Sequence, residues 1–180
     1  GFTAAAGEEG ASAECRTSDI TLAEFRTLTP KMDSADATAT TAEDYQGGVA
    51  SFRTQLYSDG ADLMTHAESI ELFKSLGAKF TPELKSPSVE MPHDGFGQED
   101  YAQKMIDEYK AAGIPASDVW AQSFNLDDVL YWIKAEPEFG KQAVYLVEWS
   151  EGFDEQDPST WTQDFAQLKE QGVQYLAPSL

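Results

Sequence analysis

The sequence predicts an α/β fold in which parallel strands alternate with helices, and two observations support this. Helical and strand-like segments alternate along the second part of the chain, with strands predicted near 79–85, 118–124, 142–149 and 173–178. Their spacing of about 25 to 40 residues suits βαβ units. No glycine-rich phosphate motif of the Rossmann or P-loop type stands between a strand and a helix. The repeats predict either a small open α/β sheet or part of a (β/α)8 barrel, which typically needs about 250 residues.

The first repeat begins with a clearly marked helix. Thr65 and Glu68 have the spacing of a capping box. Apolar residues then recur at helical intervals from Ile70 until Gly77 ends the helix. This pattern predicts a helix that opens the α/β part of the chain.

The segment that follows, 78–85, is too short for a helix, and we interpret it as a strand. Successive side chains of a strand alternate between faces. One face is therefore polar and charged, and the other is apolar: Thr81, Glu83 and Lys85 against Phe80, Pro82 and Leu84. Charges at the carboxyl end of a barrel strand usually mark chemistry. The alternative, on spacing alone, is an ordinary solvated ion pair between Glu83 and Lys85.

The later elements follow the same alternation. A second helix is predicted over 98–112, with Gly113 at its carboxyl end, and a third over 126–136, ended by Pro137. The strand near 142–149 is an apolar run that suits burial on both faces. A fourth helix, capped by Thr160 and stopped by Gly172, leads into the last strand.

The first part of the chain has weaker signals. Residues 1–16 are small, acidic and rich in glycine and alanine, which predicts a flexible start. A short helix follows and ends at Pro30. Residues 30–48 predict an acidic surface loop, because large apolar side chains are scarce there. We assign residues 17–180 to the α/β domain.

Charge is the strongest compositional signal. The chain has 32 acidic and 12 basic side chains, which gives a formal net charge of −20. Such a surface repels nucleic acid and anionic membranes, because binding a phosphate backbone needs clustered lysine and arginine. It suits divalent cations or an extracellular setting, although most of these carboxylates are explained by solubility.

No apolar run approaches the roughly 18 residues that span a membrane. The residues GFTAAAGEEG lack the pattern of an export signal, so we expect any such signal to be missing from this sequence. Cys15 is the one cysteine, and an odd cysteine in a secreted protein indicates a partner outside the chain.

The sequence offers one alternative catalytic pair. His93 and Asp94 lie in a loop rich in proline and glycine, where active-site loops of a barrel belong. Adjacent residues on a loop are not thereby within reach of a substrate, and we favour a surface position for His93. A different (β/α)-type hydrolase that uses this pair remains an alternative.

Two strings of the sequence, SIELFKSLGAKFTPELKSP at 69–87 and VWAQSFNLDDVLYWIKAEP at 119–137, resemble the glycerophosphodiester phosphodiesterases of bacteria. The resemblance extends from about Thr17 to Ser179. It implies a partial (β/α)8 TIM-type barrel with parallel strands. It also implies a role in lipid metabolism: hydrolysis of glycerophosphodiesters to glycerol 3-phosphate and an alcohol, with Ca²⁺ or Mg²⁺ as the cofactor.

The resemblance also assigns roles to individual residues. By analogy with the family's Glu-x-Lys strand, Glu83 would bind the metal and Lys85 would contact the substrate phosphate. Gln122 matches a glutamine that faces the active site, Phe124 would pack beside it, and Trp149 would line the glycerol pocket.

The family's other catalytic residues are missing from this sequence. Its His-Arg-Gly motif, its Glu-x-Asp metal pair and its second histidine are all absent, so we assign no catalytic residue. We expect the chain to be an incomplete part of a larger enzyme and inactive alone. The alternative is a non-catalytic acidic module, extracellular or used in assembly, derived from the same barrel.

These inferences lead to expectations about partners and location. We expect a small glycerophosphodiester substrate, no nucleic acid, no membrane span, and pairing with the remaining barrel strands or self-association. Relatives of this kind are often exported, and the acidic surface and odd cysteine agree with a periplasmic or extracellular location.

Overall fold

The computed structural model describes residues 1–30, 34–48, 52, 61–148, 150–154 and 156–178. The chain divides into two compact units, Gly1–Met64 and Thr65–Leu180. The division that we predicted at residue 16 falls inside the first unit. Each unit is described separately below.

The first unit contains a small hairpin and two short helices. Strand β1 (Phe2–Thr3) pairs antiparallel with β2 (Ser12–Ala13). Helix α1 (Leu22–Phe25) begins with a capping box, and α2 is Ala42–Gln46. The predicted flexible start therefore contains a hairpin, and the predicted loop over 30–48 contains a helix. Small residues in both segments gave no hydrophobic period from which these elements could be recognised.

The second unit alternates helices and strands as the sequence predicts. Its elements are α3 (His66–Ser75), α4 (Gln98–Ala111), β3 (Gln122–Ser123), α5 (Leu126–Ala135), α6 (Pro137–Gly140), β4 (Val144–Val147), α7 (Phe165–Glu170) and β5 (Tyr175–Pro178). Strands β3, β4 and β5 form a parallel sheet in chain order.

The predicted strand near 79–85 borders this sheet as an irregular segment, which we call the edge segment (79–85). It makes isolated parallel bridges to the 119–122 region, at Phe80 with Val119 and at Glu83 with Gln122. Pro82 explains the interruption between these bridges. Its carbonyl accepts a hydrogen bond from the Gln122 backbone N–H, at 2.9 Å, but proline has no N–H to return to the ladder.

The prediction of a partial (β/α)8 TIM-type barrel is wrong. The described residues form a two-stranded antiparallel sheet and a three-stranded parallel sheet, and neither closes into a barrel. The second unit is a small α/β domain, which is the other alternative that the repeats allow. The physical reason is that alternation of helices and strands is common to open and closed parallel sheets. Closure depends on strand number and tilt, which no local pattern specifies.

The core of the second unit lies between the sheet and helices α3 to α5. The Trp132 side chain is fully buried and donates its indole N–H to the Ala102 carbonyl of α4, at 3.1 Å. This satisfies the one polar atom of a large apolar side chain, so the hydrogen bond offsets the cost of removing the indole N–H from water. Phe80 of the edge segment contacts the Tyr109 ring of α4, with centroids 5.1 Å apart.

Of the predicted helix boundaries in the second unit, those at Thr65, Gly113 and Pro137 are confirmed and one is wrong. Thr65 and Glu68 form the capping box of α3, and Gly113 has a φ of 69° just after α4. Helix α5 ends at Ala135, before Pro137, and Pro137 then begins the separate short helix α6. The cap of α7 is Asp164 rather than Thr160, whose hydroxyl accepts from the Asp154 N–H in the preceding loop. A hydroxyl used there is not available to the helix.

No helix among the described residues is long and apolar enough to cross a membrane.

A partly exposed contact between His66 and Glu108 joins α3 to α4. The His66 Nδ1 lies 2.6 Å from a Glu108 carboxylate oxygen, and the Lys104 ammonium lies 2.7 Å from the other. Burial raises the pKa of Glu108, but hydrogen bonds from Lys104 and His66 outweigh it and lower this pKa below its ordinary value of 4.5. The carboxylate form is therefore favoured in the folded state.

A carboxyl group whose pKa is lower in the folded state than in the unfolded state stabilises the fold at pH values above its unfolded-state pKa. That stabilisation is lost as the pH falls through its folded-state pKa. As the pH is lowered below 4.5, we expect the free energy of unfolding of the wild type to decrease more steeply than that of Glu108→Gln. Because the pair is partly exposed, the difference should stay under about 1 kcal/mol. Urea titrations at several pH values measure it. Glu71→Gln, at an exposed pair with Lys74, is the control, and an equal effect there would contradict the assignment.

Candidate functional site

The candidate site lies on one face of the parallel sheet, at its carboxyl edge. Glu83 is the register partner of Gln122, Gln122 of Val144, and Val144 of Tyr175. Register partners in a sheet project their side chains to the same face. The predicted ligand Glu83 and the predicted substrate contact Gln122 are therefore neighbours, as the sequence-based interpretation requires.

Glu83 and Lys85 form an ion pair in the structure. The Lys85 Nζ lies 2.8 Å from a Glu83 carboxylate oxygen. The lysine side chain is 77% exposed and the glutamate side chain 26% exposed, so the carboxylate is held against the sheet while the ammonium faces solvent. An exposed pair of this kind contributes little to stability. Its geometry is compatible with both interpretations of the sequence, an ordinary ion pair and a site in which the lysine turns to an anion.

Gln122 is fixed by a contact within this face. Its Nε2 donates to the Thr81 carbonyl, at 3.0 Å, and this holds the amide across the edge segment. Phe124 follows β3 and is exposed, so its ring is free to contact a ligand. Trp149, predicted to line a glycerol pocket, lies outside the described residues.

Two further residues on this face were missed by the sequence analysis. The Lys79 ammonium lies 5.5 Å from the centroid of the Trp120 ring and 3.3 Å from an Asp118 carboxylate oxygen. Tyr175, in the same row as Gln122, is exposed. The alternation of side chains in QYLAP could have identified Tyr175, but only once the register between β4 and β5 was known.

The described residues contain no cluster of three or more histidine, cysteine, aspartate or glutamate side chains that could hold a metal ion. Glu83 stands as one carboxylate beside a lysine. Because Ca²⁺ and Mg²⁺ draw on several oxygen ligands, this arrangement does not fit a divalent cation by itself.

The alternative pair, His93 and Asp94, lies on an exposed turn. The His93 Nε2 is 3.8 Å from an Asp94 carboxylate oxygen, and the Asp94 side chain is 96% exposed. The His93 backbone closes this turn with Phe96 through reciprocal hydrogen bonds of 2.9 and 3.0 Å. An aspartate so fully solvated is poorly placed to orient a catalytic imidazole.

A buried polar cluster on the other face of the sheet was also missed. Asp128 is 2% exposed, and its carboxylate accepts hydrogen bonds from Ser123 Oγ and Gln98 Nε2, both at 2.8 Å. Burial raises the pKa of the Asp128 carboxyl, and those two hydrogen bonds offset part of the rise. The Ser123 Oγ also accepts from the Asn125 N–H, so the cluster joins the end of β3 to the start of α5.

A cleft of about 660 Å³ opens beside this cluster. Its walls come from the starts of α4 and α5 and from the outer side of α5: Gln98, Glu99, Asn125, Asp127, Asp128, Leu130, Tyr131, Lys134 and Ala135. In the sequence, NLDD gives the signal of a helix cap. The burial of its second aspartate depends on Ser123, whose inward direction follows from its place in the strand.

Comparison with known proteins gives one informative similarity. No protein-family model matches the chain. No solved structure matches it either. A protein of Arthroderma benhamiae named "Extracellular protein" is 40% identical over 150 residues, which cover 82% of this chain and 60% of that protein. The chain thus spans about three fifths of the length of this relative.

The similarity bears on location. It confirms the predicted export: the protein is secreted and extracellular. The relative's name says nothing of a reaction, so the resemblance to phosphodiesterases stays a prediction.

The buried cluster gives a test of how the site-bearing strand is held. Asp128→Ala removes the acceptor of Ser123 Oγ and Gln98 Nε2, and we expect a loss of about 1–3 kcal/mol in the free energy of unfolding. Urea unfolding followed by circular dichroism measures it. Asp127→Ala, at the exposed neighbour, should cost at most about 0.5 kcal/mol. Equal losses would mean that the cluster does not hold β3 to α5.

Proposed function

We propose that the chain is part of an extracellular phosphodiesterase that hydrolyses glycerophosphodiesters to glycerol 3-phosphate and an alcohol. The observation that carries this proposal is the placement of Glu83, Lys85 and Gln122 together at the carboxyl edge of a parallel sheet. Ligands of open α/β sheets bind at that edge. The similarity of TPELKSP and WAQSF to the family supplies the substrate class.

Lys85 is the residue that would bind the phosphate group. Its ammonium is mostly exposed and needs only to turn from Glu83 to reach an anion in front of the sheet. A lysine binds phosphate as a point charge with three donors. Gln122 offers an amide to the ester or glycerol oxygens, and the exposed ring of Phe124 offers an apolar contact for the glycerol carbons.

The proposed binding face is locally balanced in charge on a strongly acidic chain. The net charge of −20 opposes the approach of any anion. On this face, Lys79 and Lys85 bring two positive charges next to the Asp118 and Glu83 carboxylates. A phosphodiester with one negative charge would therefore be attracted only at short range, and binding by this chain alone should be weak.

The described residues do not complete a catalytic site. A divalent cation is expected from the resemblance, but one carboxylate does not hold it, and we derive no step through a metal. The chain has two histidines in all. His66 is engaged by Glu108 and Tyr109, and His93 lies on the exposed turn. No general acid or base thus stands beside Glu83 within the described part of the chain.

The first test separates binding from turnover in this chain. With Ca²⁺ or Mg²⁺ and glycerophosphocholine, we expect no release of glycerol 3-phosphate above the buffer rate. Metal-dependent release that Glu83→Gln abolishes would overturn this expectation. Loss of a measured hydrolysis on His93→Ala but not on Glu83→Gln would instead favour the alternative hydrolase.

The second test concerns binding itself. Chemical shifts of the Gln122 side-chain amide, followed by NMR during titration with glycerophosphocholine, report occupancy of the face. We expect Lys85→Ala to raise the dissociation constant roughly tenfold, because a charge-assisted contact is lost. Lys141→Ala, at an exposed lysine paired with Glu138, is the matched control. The proposed phosphate contact would be contradicted if the Gln122 amide of the wild type did not shift, or if Lys85→Ala and Lys141→Ala gave equal shifts.

A second candidate function is favoured by the net charge of −20. In this alternative the chain is a non-catalytic acidic extracellular or assembly module. It predicts that Glu83→Gln and Lys85→Ala change neither stability nor ligand binding by much. The same titration therefore distinguishes the two functions.

A further inference from the structure

We propose that two copies of this chain associate through the edge segment, which pairs antiparallel with itself across a two-fold axis with Thr81 opposite Thr81. The surface comprises this segment and the exposed apolar side chains of α3. The proposal does not require phosphodiesterase activity, because its backbone pairing uses the outer edge of the sheet, although its cross-strand ion pairs use Lys79 and Glu83, whose side chains lie on the proposed binding face.

The backbone of the edge segment is paired on one side only. Phe80 and Leu84 donate to the 118–122 region at 2.9 Å, and the Pro82 carbonyl accepts from it. Because backbone groups alternate along an extended chain, Lys79, Thr81 and Glu83 direct their N–H groups to the outside. Within the described residues, these three N–H groups have no backbone acceptor. An edge with free donors and acceptors is a template for another strand.

Pro82 does not obstruct such pairing. Its missing N–H lies on the inner side, where its carbonyl meets Gln122. The outer side, formed by Lys79, Thr81 and Glu83, keeps its three N–H donors, and the Thr81 carbonyl, which accepts from Gln122 Nε2 at 3.0 Å, has a second lone pair for another donor. The edge segment can therefore accept a partner strand although it contains a proline.

Helix α3 directly precedes the edge segment in the chain. Helix α3 packs against α4, and α4 packs against α5, so α3 is the terminal helix of this row among the described residues of the second unit. Ile70 is the one buried residue of α3, while Leu72, Phe73 and Leu76 are exposed, Leu76 at 70%. Adjacent apolar side chains exposed at the end of such a row are typical of a surface that another protein covers. Leu76 lies three residues before Lys79, so the apolar patch and the free edge belong to one continuous stretch.

Charge complementarity selects a second copy as the occupant. Antiparallel pairing with Thr81 opposite Thr81 places Lys79 of each strand opposite Glu83 of the other, on the same face. Two cross-strand ion pairs result, related by the symmetry axis. Shifting the register by two residues places Lys79 opposite Lys85 in one direction and removes both ion pairs in the other, and a shift of four residues places Glu83 opposite Glu83 or Lys79 opposite Lys79. The sequence thus fits one self-paired register better than its neighbours.

The local charge also permits self-association here. A chain with a net charge of −20 repels its own copies over most of its surface. The stretch from Lys74 to Lys85 holds three lysines and one glutamate, so it is less acidic than the chain as a whole. Edge lysines ordinarily discourage pairing with unrelated strands. In this register, Lys79, which lies 3.3 Å from Asp118, gains a second carboxylate partner.

The test is the oligomeric state of the full chain, measured by sedimentation velocity over a concentration series. We expect a reversible monomer–dimer equilibrium between the 19.8 kDa chain and a species of twice that mass. Lys79→Glu places glutamates opposite each other at both pairs, and Glu83→Lys does the same with lysines. Each single variant should raise the dimer dissociation constant roughly tenfold or more.

A mixture of the two variants provides the decisive control. In the mixed dimer, Glu at position 79 of one chain faces Lys at position 83 of the other, and Lys79 faces Glu83 at the second pair, so association should return to the wild-type strength. Lys141→Glu, at an exposed lysine outside the edge segment, should leave the equilibrium unchanged. Leu76→Lys tests the helix patch and should weaken the dimer without changing the circular dichroism spectrum.

The proposal is overturned by a wild type that stays monomeric at all concentrations. It is also overturned by a dimer that the single charge variants do not weaken, or by variants that fail to restore each other in the mixture. A stable complex with a different protein that Leu76→Lys abolishes, while the wild type alone is monomeric, would assign the surface to that partner instead.

Discussion

The pairing of residues 119–123 on both of their sides is the interaction on which the second unit depends. On one side this segment bonds to the edge segment, and on the other Ala121 accepts from the Val144 N–H at 2.8 Å. Val119, Ala121 and Ser123 are all buried. The segment therefore fixes the sheet, carries the end of β3 to α5 through Ser123, and places Gln122 next to Glu83. A candidate site built from three separate stretches of sequence is held in register by this one element.

The sequence predicted the local elements of the second unit better than their assembly. Thr65 with Glu68 and Gly113 gave reliable helix boundaries because the capping chemistry acts within a few residues. The strand positions near β3, β4 and β5 followed from hydrophobic runs. The prediction of a barrel was wrong, because it was inferred from the fold of complete family members, whereas the sheet of this chain is open. Thr160 failed as a cap because a loop residue six positions earlier, Asp154, had already taken its hydroxyl.

The candidate site was predicted in part, for a related physical reason. The alternation of Thr81, Glu83 and Lys85 along a strand was enough to place them on one face. Their proximity to Gln122 required the register between separated strands, and it came from resemblance rather than from spacing. Asp128 was missed because burial of a carboxylate depends on tertiary partners, here Ser123 and Gln98. The free edge of the sheet could not be predicted either, because it is defined by backbone groups that have no partner strand in the described part of the chain.

Pro82 has a consequence for which positions of the edge segment tolerate change. Because proline has no backbone N–H, the inner ladder contains no hydrogen bond donated from position 82. The residue at this position therefore need not supply a donor. Positions 81 and 83 are different, because a proline at either would leave the inner ladder intact and remove a donor from the outer edge. The alternation of the backbone thus divides one short segment into two sets of positions under separate constraints. The inner positions are constrained by the fold of the chain, and the outer positions are constrained by any strand that pairs with this edge.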